Sequence, residues 1–173
     1  MTEETSGQTL FDSVSIAVLA LQGSVLSDFH IPTPGNLLDI SKISELVSNT
    51  IEARVPEWLN ARRQAWDEFE QFAGYEFIKA KAGYPDVRLT NRSDPSDVKF
   101  RIEVKTWYVL SRDPLTARFK THPSYLLADD MLVVAAWTLD GIVNGSPKLV
   151  RLYIDRALPI ATKRDEVGTP LGK

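Results

Sequence analysis

Pro85-Asp86-Val87-Arg88-Leu89-Thr90, a turn from Asn91 to Ser96, then Val98-Lys99-Phe100-Arg101-Ile102-Glu103-Val104-Lys105-Thr106-Trp107: this stretch decides the fold. Apolar and polar residues alternate on both sides of turn chemistry, which predicts an antiparallel hairpin with strands over 86–90 and 98–107. In the second strand Val98, Phe100, Ile102, Val104 and Thr106 share one face, and Lys99, Arg101, Glu103, Lys105 and Trp107 share the other. Asp86 lies on the polar side of the first strand with Arg88 and Thr90. Asp86 and Glu103 are therefore expected to meet across the ladder, with Lys105 beside them.

Toward the N-terminus the pattern is helical. Leu10, Val14, Ala17, Val18, Leu21 and Val25 recur at helix spacing, predicting a helix over about 9–22. Ile40, Ile43, Leu46, Val47 and Ile51 predict a second after the Ile31–Asn36 break. Pro56 sits where a first-turn proline opens a third, over about 57–82 and ended by Gly83, with Trp58, Leu59, Trp66, Phe69, Phe72 and Phe77 on one side. Glu76 falls inside that apolar stripe, and Glu70 lies at its edge.

Toward the C-terminus, Pro123 is expected to open a short helix through Ala128. Met131-Leu132-Val133-Val134-Ala135-Ala136-Trp137 reads as a central strand covered on both faces, and Lys148–Asp155 as a further alternating strand. The organisation expected is a helical N-terminal extension over 1–56, a core over 57–155 and a weakly patterned tail over 156–173. The fold class is α/β (α+β), a mixed sheet with an antiparallel meander flanked by helices.

With 173 residues, 43% of them hydrophobic and 25% charged, the chain can bury a core without a disulfide or metal staple. It has no cysteine and only two histidines, His30 and His122. Thiol catalysis, zinc fingers and iron–sulfur clusters are excluded, and a bound metal would be a hard cation on oxygen ligands. The net charge of −3 argues against binding nucleic acid through bulk charge. The charge is uneven, however: residues 1–50 carry one base against six acids, whereas Lys99 to His122 carry six bases against two. No apolar run reaches the ~18 residues of a membrane helix, and Val14–Leu21 follows acids rather than lysines, so the cytoplasm is the expected location. No glycine-rich phosphate loop or G-x-S-x-G elbow is present, which leaves nucleotide kinases and α/β-hydrolases unsupported.

Two converging acids repel one another, and a divalent cation relieves that repulsion. Mg²⁺ favours one or two carboxylates completed by waters and substrate phosphate oxygens. A neighbouring lysine can position an attacking water or neutralise charge developing on phosphate. Asp86 followed by Glu103-Val104-Lys105 is thus a complete set for metal-assisted phosphodiester hydrolysis.

Pro85-Asp86, sixteen intervening residues, and Glu103-Val104-Lys105 in an apolar strand resemble the PD-(D/E)xK nuclease superfamily, the restriction-endonuclease-like fold. The likeness covers roughly residues 57–155, and Asp130–Trp137 is similar to the strand that follows the motif in several type II restriction enzymes. It implies a helix, a three-stranded antiparallel meander, a helix and a further strand. It implies a Mg²⁺-dependent DNA endonuclease, with Mn²⁺ as substitute, acting on double-stranded DNA as a homodimer and using no nucleotide cofactor. Asp86, Glu103 and Lys105 become catalytic, with Asp86 and Glu103 holding metal. A further glutamate from the helix before the Pro-Asp strand is expected to join them, Glu76 first and Glu70 second. Asp97-Val98-Lys99 is a second copy of the acid-x-Lys triplet nearer the turn. Lys99, Arg101, Arg112, Arg118 and Lys120 are candidate DNA contacts. His122, before Pro123, reads as a capping residue. Two other functions stay open: a structure-directed repair or recombination nuclease, and a non-catalytic DNA-binding or assembly protein that keeps the fold.

Overall fold

A computed structural model describes residues 3–27, 30–31, 40–110, 119–141 and 144–168. Helices α1 (Glu3–Leu19), α2 (Ile40–Ala61) and the single turn α3 (Arg63–Trp66) precede three strands, β1 (Tyr75–Lys79), β2 (Val87–Asn91) and β3 (Val98–Tyr108). A 3₁₀ turn at Pro123–Tyr125 leads to β4 (Met131–Leu139), β5 (Pro147–Arg156) and helix α4 (Ala157–Gly168). The strands form one mixed sheet in the order β1-β2-β3-β4-β5. Pairing is antiparallel except between β3 and β4, which run parallel.

Helices cover both faces. On one, Val14 and Val18 of α1, Leu21 just after it, and Val47, Ile51, Val55 and Leu59 of α2 share a core with Phe77, Leu89, Phe100, Ile102, Val104, Val133 and Trp137. On the other, Ala157 and Ala161 of α4 pack with Phe119, Leu126 and Leu132, and Val134 lies against them. The alternate residues of β4 thus enter opposite cores, which is why that strand is apolar throughout. No helix among the described residues is long and apolar enough to cross a membrane.

The third helix expected from sequence does not exist as such. Helix α2 runs through Pro56 to Ala61, and after α3 the chain turns and enters β1. Arg63 and Asp67 close that turn. Arg63 donates to the carbonyls of Phe72 (2.7 Å) and Tyr75, and the Asp67 carboxylate accepts from the Phe72 N–H (3.1 Å). Asn60, on α2, then binds both backbone groups of Phe77 in β1, its amide donating at 2.7 Å and its carbonyl accepting at 2.9 Å. The apolar residues that mimic one helical stripe belong to a helix end, a turn and a strand. Phe69, assigned to the stripe, is 77% exposed. The stretch expected to be a weakly patterned tail, 156–173, forms α4 over Ala157–Gly168.

Candidate active site

The site lies where β3 changes partners. Its ladder with β2 ends at Val87–Ile102, and its ladder with β4 begins at Ile102–Met131. Beyond Ile102 the β2-side edge of β3 has no strand beside it among the described residues, and the Val104 N–H there needs an acceptor. Asp86, one residue before β2, supplies it: its carboxylate accepts that N–H at 2.8 Å. The Asp86 carbonyl in turn accepts from the Ala80 N–H just past the end of β1 (2.8 Å), so both neighbouring strands fix this aspartate.

Glu103 and Lys105 project from β3 on the face shared with Leu132 and Val134, their register partners in β4. The Lys105 ammonium is 2.6 Å from Glu103 Oε1 and 3.7 Å from Asp86 Oδ2, so one cation spans both acids. Glu103 Oε2 is buried and has no hydrogen-bond partner among the described residues. Burial pushes the Glu103 carboxyl above its ordinary range and the Asp86 charge adds to the rise, while Lys105 opposes it. Asp86, Glu103 and Lys105 are therefore brought together on one patch, as the alternation of the two strands predicts.

The remaining expected members of the site are elsewhere. Glu76 is on β1, not on a helix, in register with Thr90, and its carboxylate lies 3.5 Å from Arg92. It stands four residues up the strand from Ala80, which contacts Asp86, a separation of about 13 Å. Glu70 occupies the turn before β1 in a left-handed conformation, φ 53°. Among the described residues no third acid or histidine joins Asp86 and Glu103 in a metal-holding group. The expectation for Glu76, with Glu70 behind it, is thereby corrected, because the segment that was to carry them in on a helix is a turn and an edge strand.

Arg101 shares the face of Glu103, but its charge is taken. The guanidinium grips the buried Asp130 carboxylate through two nitrogens, Nε at 2.7 Å from Oδ1 and Nη2 on Oδ2, and donates to the Tyr125 carbonyl at 3.2 Å. It stacks over the Tyr84 ring, 5.1 Å from the centroid. Tyr84 donates its hydroxyl to Asp130, which also accepts the Leu127 N–H at 2.8 Å. Burial first, and then the bond and charge of Asp130, hold the Tyr84 hydroxyl far above its ordinary pKa. Arg101 is thus a structural ion-pair partner rather than an open phosphate contact. Sequence reasoning missed Asp130 in this role. The usable signal was an acid immediately before an all-apolar strand parallel to the one carrying Arg101.

Lys99 lies 3.0 Å from Asp97 at the hairpin end of β3. Asp97, the acid of the second acid-x-Lys triplet, accepts the Tyr75 hydroxyl, and that bond with Lys99 lowers its pKa. The triplet closes a turn. His122 caps the 3₁₀ turn as expected, its Nδ1 accepting the Ser124 N–H at 3.2 Å. Trp107 lies on the face of Glu103, with its indole Nε1 buried and without a hydrogen-bond partner. Lys120 lines a cleft with Tyr84 and Arg101. Arg112 and Arg118, the other two expected DNA contacts, lie outside the described residues.

The donor set suits a hard divalent cation. Two carboxylates converge, one with an unsatisfied buried oxygen, and that is the unmet demand an oxygen-seeking ion would answer. No known family model matches the chain, and no curated protein matches it either.

Proposed function

We propose that this protein is a Mg²⁺-dependent DNA endonuclease of the restriction-endonuclease-like kind, hydrolysing phosphodiester bonds as a homodimer on double-stranded DNA. The observation that carries the reading is the buried, partnerless Oε2 of Glu103 beside Asp86, with the Lys105 ammonium within reach of both carboxylates. The element order supports it as well: helix, antiparallel meander β1–β3, a helical turn and a parallel β4 follow the order the sequence resemblance implies.

In this reading Asp86 and Glu103 would hold the cation, and a cation held there would supply Lewis-acid charge beside the scissile phosphate. Asp86 is aimed by the Val104 N–H, so its geometry is set before substrate arrives. Lys105 donates to the incoming water and neutralises charge growing on a non-bridging phosphate oxygen. The water's oxygen bonds to phosphorus, one P–O ester bond breaks, and the displaced proton ends on the leaving oxygen. The apolar surroundings of Glu103 keep its carboxylate poorly solvated, which strengthens its pull on a cation.

The test is cleavage of supercoiled and linear duplex DNA with Mg²⁺, with EDTA, and by Lys105→Ala. Mg²⁺-dependent nicking is expected, with a loss of about 10²- to 10⁴-fold in Lys105→Ala at unchanged circular dichroism. Cleavage untouched by EDTA, or by the substitution, overturns the mechanism. Calorimetric titration with Mn²⁺ reads the metal site apart from activity: uptake by the parent and none by Glu103→Gln is expected. A second reading, a nuclease directed by DNA structure rather than sequence, is favoured by the aromatic cleft beside the acids.

A further inference from the structure

Tyr84, Arg101, Lys120, Thr121, His122 and Tyr125 line a cleft of about 540 Å³, within the roughly 300–1,000 Å³ of small-ligand sites. Its place relative to the acids is set by β3. Arg101 precedes Glu103 by two residues on the same face, and the Tyr84 ring, from the segment before β2, lies against the Arg101 guanidinium. Two strand residues span ~6.6 Å. One nucleotide of a single DNA strand advances ~3.4 Å along the duplex axis. The cleft therefore opens one or two nucleotides from a phosphate seated at Asp86 and Glu103.

Its chemistry is specific. Tyr125 is 71% exposed, a large ring left in solvent, yet its backbone is held at both ends. Its N–H bonds the His122 carbonyl at 3.0 Å, and its carbonyl accepts from Arg101. In the same cleft the Arg101 guanidinium lies over the Tyr84 ring, 5.1 Å from its centroid, with its charge balanced by Asp130. With that charge taken, the pair offers aromatic surface rather than a phosphate clamp. Lys120 is exposed, and no acid among the described residues lines the cleft. An exposed ring on a tethered backbone, a second aromatic ring and one cation together suit an unstacked base with its phosphate.

We propose that this cleft takes a single unpaired nucleotide of the substrate strand, its base against Tyr125 and its phosphate toward Lys120, so that the preferred substrate is DNA with an unpaired nucleotide beside the cut. The inference rests on the nuclease reading for what happens next door, but nucleotide capture itself needs no metal. Stacking of a base on an aromatic side chain makes Tyr125 the main determinant, and the extrusion cost is least where the nucleotide is already unpaired.

The experiment places 2-aminopurine as a one-nucleotide bulge in a DNA duplex, or paired in the matched duplex, and titrates the full chain in EDTA. Quenching of the bulged probe, with affinity at least about tenfold above the matched duplex, is expected. Tyr125→Ala should abolish the quenching and Tyr125→Phe should retain it; Lys120→Ala should weaken binding with quenching preserved at saturation. Equal affinity for the two duplexes, or quenching unchanged in Tyr125→Ala, overturns the proposal. Cleavage with Mg²⁺, measured on the same two duplexes, separates the two claims. Cutting without preference for the bulge sinks the cleft's role and leaves the nuclease reading standing. Quenching without any cutting does the reverse.

Discussion

Glu103 carries a contradiction that the rest of the site is built around: a carboxylate shielded from water, with one oxygen on Lys105 and the other on nothing. Because its carboxyl is raised above the ordinary value of 4.5, it holds its proton more tightly folded than unfolded. Its contribution to stability is then fully present below that ordinary value and is lost as pH rises through the folded one. Glu103→Gln, which never ionises, should melt about 2–4 °C above the parent in EDTA at pH 8, with the difference closing near pH 4. A lower melting temperature at pH 8 would mean that the Lys105 pairing outweighs the burial. Arg101 is the opposite case. Arg101→Ala strands the buried Asp130 charge and should cost about 3 kcal/mol in urea unfolding, most of it recovered in the double variant with Asp130→Asn. A cost below ~1 kcal/mol would show that Asp130 finds water instead.

At the scale of elements, β3 was legible because its two faces have opposite chemistry over ten residues, and β4 because both of its faces are buried. β1 was not. Tyr75-Glu76-Phe77-Ile78-Lys79 is short and lies at the sheet edge, and its inward Phe77 falls at helical spacing from Trp66 and Leu59. It is held by its ladder with β2 and, on its other edge, by Asn60, seventeen residues from Phe77, which binds the backbone of Phe77 as a ladder neighbour would. No local pattern contains that interaction. Asn60→Ala should therefore cost about 2 kcal/mol and speed amide exchange in β1 ahead of β3, readable residue by residue by NMR. Uniform acceleration across the sheet would argue against a local role. The pairing of Asp86 with Glu103 was readable for the same kind of reason in reverse, since alternation alone puts both on one face.

For the molecule as a whole, the N-terminal helices are not ornaments on a separate core. Phe11 of α1 meets Phe100 of β3 edge-on at 6.2 Å between ring centroids, and the Arg156 guanidinium lies over the same Phe11 ring. Val14, Val18 and Leu21 are buried almost completely in the core that also holds Ile102 and Val104. A chain lacking residues 1–27 should lose its cooperative thermal transition by circular dichroism, because the inner face of β3 would be opened to water. A retained sharp transition would assign α1 to decoration. This dependence was not legible from composition: the acidic first fifty residues look like an appendage, and only the depth of Val14 and Val18 shows otherwise.

The acids and the aromatic cleft share a backbone: Arg101 and Glu103 are neighbours but one on a strand hydrogen-bonded on both sides at Ile102, between them. That makes β3 a ruler. Under the proposed nuclease reading, the distance from the seat of an unpaired base to the acids is fixed by two peptide units that cannot stretch, so incisions should fall at a constant offset from the irregularity in the DNA, whatever letters flank it.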